Sequence, residues 1–167
     1  LATSSLAQLR AVLEGVDSAI LLCGLAHDIL WFNQKFADLI GINYAATDAF
    51  TAGGEMSIKA IRDWGNNCLA NPTDFFEAKD RLHADLEFSG SIGEFDIIRP
   101  VPRTLREFTA PVRGDDGYIG RLWVYSDVTE RKRAEEEIRA LARFPSESPN
   151  PVLRIAGDAT ILYGNTP

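Results

Sequence analysis

The sequence predicts an α+β domain: a five-stranded antiparallel sheet with helices packed on one face, flanked by a helix at each end. Three observations carry that expectation. Short apolar runs fall in two groups, within residues 18–32 and 94–126, with a helix-forming region between them; strands, then helices, then strands is an α+β order rather than an alternation of βα units. Turn residues divide each group, Gly24 to Asp28 in the first and Asp116-Gly117 in the second, as hairpins require. The last apolar run, Tyr118 to Ser126, passes directly into a segment of Glu, Arg, Lys, Ala and Leu, all good helix formers.

The 167 residues suffice for one ordinary domain plus extensions, and 46% hydrophobic with 25% charged residues is a globular composition. A net charge of −7 argues against partners that are nucleic acid or anionic membrane. No apolar run reaches the ~18 residues that suggest a span, and no signal peptide is evident. Two cysteines, Cys23 and Cys68, are too few for a disulfide framework or a zinc site, so reduced thiols and a cytoplasmic location are expected. A chain beginning at Leu1 reads as a fragment of a longer protein.

In order along the chain, Leu6, Leu9, Leu13 and Val16 form one helical stripe with Ser4 or Ser5 as cap; the stripe suits either packing on its own domain or a short coiled-coil seam. Ser18 to Cys23 and Ile29 to Phe32 form the first hairpin, and Asn33 caps a helix, Gln34 to Ile40, that stops at Gly41. Asn43 to Glu55 reads as loop and short helical turns, and Met56 to Leu69 as helix. Asn71, as N-cap, and Pro72, at the first helical position, start a helix to Leu86 with Phe75, Ala78, Leu82 and Leu86 on one face. Strands follow at 94–99, 104–112 and 118–126; Pro100 and Pro102 belong in the first of the two connections because proline cannot donate to a ladder.

Asp127 or Thr129 is placed to cap the last helix, and Asp127 with Glu130 has capping-box spacing. That helix carries Ala134, Ile138 and Leu141 as a thin apolar seam among opposite charges four apart, a pattern suited to pairing with a second copy. After Pro145 to Pro151 comes Val152-Leu-Arg-Ile, a Gly157-Asp158 turn, then Ile161-Leu-Tyr-Gly-Asn165: strand, turn, strand, Asn, the order of the first hairpin again.

Gly120-Arg121-Leu122-Trp123 followed by Asp127-Val128-Thr129-Glu130-Arg131-Lys132 resembles the end of a PAS domain and its exit helix, a signature of bacterial sensor kinases. A weaker likeness covers roughly residues 14–128. The resemblance implies an N-terminal linker helix (1–16), a PAS sensor domain (17–128), a signalling helix (129–144) and the truncated start of a second PAS domain (145–167). It implies a two-component sensor with a histidine kinase as the downstream output domain, a diguanylate cyclase being the alternative, and gives Asp127 and Thr129 the role of coupling sheet to exit helix.

Trp31, Trp64, Phe95, Phe108, Trp123 and Tyr125 are numerous aromatics for a domain this small. They suit plain core packing or a small-molecule pocket between sheet and helices. Gly65-Asn66-Asn67-Cys68-Leu69 has a superficial likeness to the flavin-adduct motif of blue-light PAS domains but lacks the Arg, Phe and Gln that follow the cysteine there. His83 stands on the helix where haem-binding PAS domains place their iron ligand, yet its neighbours Asp80, Arg81 and Asp85 suggest a solvated face. His27, beside Asp28, reads as surface. Neither haem nor flavin is therefore expected, and the ligand stays unknown. No nucleophile–base arrangement, phosphate loop or metal-ligand spacing appears, so no enzyme activity is expected. The functions left are a sensory relay working as a homodimer or a ligand-free dimerisation module.

Overall fold

The computed structural model describes residues 8, 11–41, 58–147 and 149–165, with the side chains of 58 and 142–147 excepted. The chain forms two units, Leu1–Val128 and Thr129–Pro167.

The first unit contains the antiparallel sheet. Its strands are β1 (Ala19–Gly24), β2 (Ile29–Phe32), β3 (Gly90–Ile97), β4 (Arg103–Gly114) and β5 (Gly117–Asp127), in the spatial order β2-β1-β5-β4-β3. Among the described residues, three helices lie between β2 and β3 in sequence: α1 (Gln34–Ile40), α2 (Ile58–Cys68) and α3 (Pro72–Ala84). The five-stranded α+β fold is therefore as expected. The stripe residues Leu6 and Leu9, and the loop at 43–55, lie outside the described residues. Residues 11–14 are helical.

Pairing of β1 with β5 brings the first strand beside the last, Leu21 opposite Trp123 and Ala19 opposite Tyr125. Side chains alternate across a strand, so this register puts Ala19, Leu21, Cys23, Trp123 and Tyr125 on one face. All are buried, and they share a core with Phe36 and Ala37 of α1, Ile61 of α2 and Phe76 of α3. The opposite face carries Leu22, Trp31, Val124 and Phe108. At Gly120 a Cβ would overlap the Cys23 carbonyl, so the close approach of β5 to β1 requires glycine there.

Asn33 ties the first hairpin to α1. It is wholly buried, and its side-chain oxygen accepts from Ile20 N at 2.9 Å and from Phe36 N at 3.0 Å. Its amide donates to Ser18 O and Leu13 O. One side chain thus caps the helix, as predicted, and holds the strand ends together.

Three expectations need correction. Asn71 occupies the cap position of α3 but makes no side-chain cap bond there. The helix ends at Ala84, not Leu86, and its most buried residues are Phe76 and His83 rather than the Phe75/Ala78/Leu82 stripe. The face is rotated because α3 reaches the sheet through polar groups: Lys79 bonds Glu107 and Tyr125, and His83 Nε2 lies 3.0 Å from Gly24 O.

The second unit begins with α4 (Thr129–Glu147) and continues into β6 (Leu153–Ile155) and β7 (Ile161–Gly164), an antiparallel pair. This hairpin repeats the first at a displacement of 132 residues. Leu153 pairs with Gly164, Arg154 with Tyr163 and Ile155 with Ile161, with an irregularity after Arg154; Leu21 pairs with Phe32, Leu22 with Trp31 and Cys23 with Ile29, with an irregularity after Leu22. Asn165 accepts from Val152 N and donates to Asn150 O, as Asn33 does with Ile20 and Ser18. His27 and Ala159 hold the same positive φ, 63° and 71°, at matching turn positions.

Candidate functional site

Between the inner face of the sheet and the three helices lies a cavity of ≈ 60 Å³. Leu21 and Cys23 of β1 and Trp123 and Tyr125 of β5 form its floor. Phe36, Leu39 and Ile40 of α1, Ile61 and Trp64 of α2, and Phe75, Phe76, Lys79 and His83 of α3 form its walls, with Phe95 of β3 at one side. The strand period and the helix spacing converge on this space.

A buried cation stands against its aromatic lining. The Lys79 ammonium lies 3.6 Å from the centre of the Trp123 ring, 4.6 Å from that of Phe75 and 4.9 Å from that of Tyr125. It donates to a Glu107 carboxylate oxygen and, at 2.6 Å, to the Tyr125 hydroxyl. The lysine and glutamate side chains are 15% and 6% exposed, so this is a buried ion pair inside an aromatic cage rather than a surface bridge. Burial pulls the lysine pKa down while the facing Glu107 pushes it back up. Burial, then Glu107, hold the Tyr125 hydroxyl far above its ordinary range, so Tyr125 stays protonated. Cys23 is likewise pushed up to about 11, chiefly by burial, which leaves it a thiol and a weak nucleophile.

Phe75 and Phe95, with centroids 4.7 Å apart, stand between this cavity and a wider cleft of ≈ 300 Å³ bordered by Asn71, Asp74, Ile92 and Glu107. Glu107 therefore touches the cleft on one side and Lys79 on the other. Arg62 bonds Asp80 at 2.8 Å and 2.9 Å, joining α2 to α3 at the cavity edge.

Of the six aromatics singled out in the sequence, Trp64, Phe95, Trp123 and Tyr125 line the cavity, whereas Trp31 and Phe108 belong to the other face of the sheet and do not. His83 is buried, not on a solvated face; His27, though exposed, lays its ring on that of His83 at 3.8 Å. Burial first, then His27, lowers the His83 pKa. Cys68 is partly buried beside the core and is not among the cavity residues. Lys79 and Glu107 escaped the sequence reading. A glutamate two residues from Leu105 and from Thr109, on the side of β4 that faces the core, was the available signal.

At the sheet's exit, Val128 is buried and donates its N–H to Thr104 O at 2.9 Å. Asp127 ends β5 and Thr129 opens α4, so one residue separates strand from helix. Arg121, buried on the same strand, donates to Asp85 O and Phe88 O, closing the C-terminal end of α3 against β5.

A PAS-domain family model matches residues 7–80. The fold is similar to that of the PAS domain of BvgS from Bordetella pertussis, at 18% identity and a TM-score of 0.55, covering 84% of this chain and 98% of that one. It is also similar to a phage VqmA–DPO complex (16%, 0.53; 93% of this chain, 63% of that one) and to a Rhodobacter sphaeroides LOV protein (14%, 0.52; 84% and 76%). No curated protein matches the sequence.

Proposed function

The chain carries a domain of the PAS fold, a sensory and signalling module, and from that premise we propose that it relays the state of its cavity through β5 into α4. The observation that carries this reading is continuity. Trp123 and Tyr125 floor the cavity on the same strand that ends at Asp127, one residue before the helix. In this reading Asp127 and Thr129 fix the start of α4, where a cap is worth ~0.5–2 kcal/mol, and so set the two-state element that a signal biases. The module is non-catalytic, works in the cytoplasm as a homodimer, and serves the output domain of a sensor histidine kinase. The exposure of Ile138 and Leu141 (67% each) supports pairing through α4.

Asp127→Ala is expected to leave the core intact and to speed amide exchange from Val128 to Glu137. In the full-length protein it should change output without changing ligand affinity. Unaltered exchange and output in both Asp127→Ala and Thr129→Ala would remove the relay role.

A separate observation supports a second PAS domain beginning near residue 150: the repeated register, irregularity, turn geometry and asparagine bonds of the second hairpin. Leu153, Ile155, Ile161 and Leu162 are each more than half exposed, as strands awaiting their own helices would be. In this reading Asn165→Ala in the longer protein destabilises a second folding unit and leaves the unfolding of the first unchanged. A single shared transition would count against it.

A further inference from the structure

The wider cleft, not the closed cavity, has room for an organic ligand. Its ≈ 300 Å³ reaches the lower end of small-molecule pockets, whereas ≈ 60 Å³ does not. Its shape follows from a bulge in β3. Ser91 pairs with Phe108 and Gly93 with Glu107, so Ile92 is an extra residue, and Gly93 holds φ +151°, which a side chain would strain. Residues directly opposite on paired strands present their side chains to the same face, with Cβ atoms about 5 Å apart. Glycine opposite Glu107 therefore leaves the flank of that carboxylate without a side chain from β3. No atom lies within 4 Å of where a Gly93 Cβ would stand.

The charge of the cleft is one-sided. Among the described residues its lining includes Asp74, Glu94, Asp96 and Glu107 and no lysine, arginine or histidine. Glu94 and Asp96 are engaged across the strands, with Arg106 at 3.3 Å and the Thr104 hydroxyl at 2.7 Å. Glu107 differs from them. Its side chain is only 6% exposed, it borders the cleft and not the closed cavity, and Lys79 donates to one of its oxygens, Oε1. Oε2 accepts no hydrogen bond among the described residues, yet it is not sealed from solvent. Four carboxylates thus stand against two paired cations, Lys79 and Arg106. An entering anion meets like charge; an entering ammonium finds an accepting oxygen at the dry end and exposed Asp74 further out. Leu69, Ala78 and Ile92 supply aliphatic walls.

We propose that the cleft binds a small aliphatic primary amine in its ammonium form, the N–H groups donating to Glu107 Oε2 and the carbon chain lying along Leu69, Ala78 and Ile92. This deepens the sensory reading and rests on it for its output. A second cation on Glu107 weakens the hold of that carboxylate on Lys79, and Lys79 joins α3 to Trp123 and Tyr125 of β5, the strand that leads to α4.

Butylamine, butanol and butyrate share an alkyl chain and differ in charge at neutral pH. NMR titration of isotope-labelled protein compares them at the Gly93 backbone N–H and the Asn71 side-chain amide, both at the cleft, with the Trp64 indole of the closed cavity as control. Butylammonium is expected to shift the cleft signals to saturation, with an affinity at least about 10-fold above that of butanol or butyrate, the worth of one hydrogen bond between charged groups. Ala78→Leu fills the cleft without changing its charge and should abolish those shifts, its fold being checked by circular dichroism. Should that variant not fold, Asp74→Lys, an exposed change at the start of α3, sets a cation at the cleft and should weaken butylammonium by about 5-fold or more. Equal or tighter binding of butanol or butyrate overturns the ligand class while leaving the sensory reading in place. So does silence of the cleft signals with all three compounds, or binding that survives in the folded Ala78→Leu protein or, where that protein does not fold, is unweakened by Asp74→Lys. Butylammonium binding with no change in α4 exchange supports the class and overturns the relay.

Discussion

Lys79 is the residue on which most of the inner architecture converges. Removing it exposes the asymmetry of buried ion pairs: Lys79→Met should cost about 3–5 kcal/mol in urea unfolding, because Glu107 is left charged and dry, whereas adding Glu107→Gln should recover much of that loss. A double-mutant cycle checks this. His83 supplies a pH dependence of known sign. Its folded-state pKa is depressed by burial and by His27, so the unfolded chain binds the extra proton first. Its contribution is present above the unfolded histidine value of ~6.5 and is lost as pH falls through the folded pKa. Stability measured from pH 8 down to pH 5 should therefore decline, and the decline should be shallower in His83→Gln. Equal slopes would assign the loss to other groups.

The elements explain what could and could not be read in advance. The five strands and the helices described between β2 and β3 follow from apolar runs and breakers, whereas the order of the strands in the sheet was not read, and Asn33 was legible because strand end and helix start coincide there. The face of α3 was not, since the stripe rule counts carbon and here a lysine and a histidine point inward, each with a partner contributed by a distant strand. The pocket face of the sheet was illegible for a related reason: β5 is apolar on both sides, with Leu122 and Val124 on one and Trp123 and Tyr125 on the other, so only cross-strand register decides which side meets the helices. Gly120 tests that register. Gly120→Ala should destabilise the first unit by roughly 1–3 kcal/mol, with exchange protection lost first along the β1–β5 ladder; unchanged protection would mean that the strands can move apart at little cost.

For the whole molecule, oligomeric state is the next measurable property. Replacing Ile138 and Leu141 together with glutamate removes the apolar seam of α4 without touching the first unit, and should convert a dimer to a monomer in sedimentation at unchanged stability of the sheet domain. If the single-chain species predominates before the change, α4 has no partner of its own kind. The 132-residue displacement carries a last consequence. Residues 11–14, helical just ahead of the first hairpin, correspond to 143–146, inside α4 ahead of the second. If the proposed relay holds, α4 corresponds both to the helix that follows the first sheet and to the helix that precedes the second hairpin, and its length would act as a phase angle. Each residue added between Arg139 and Pro145 turns everything downstream by ~100° and advances it by ~1.5 Å. Seven residues return almost to the starting angle and two nearly reverse it. Output in the full-length protein should consequently vary periodically with insertion length, and a monotonic decay would show that α4 carries tension or tether length rather than rotation.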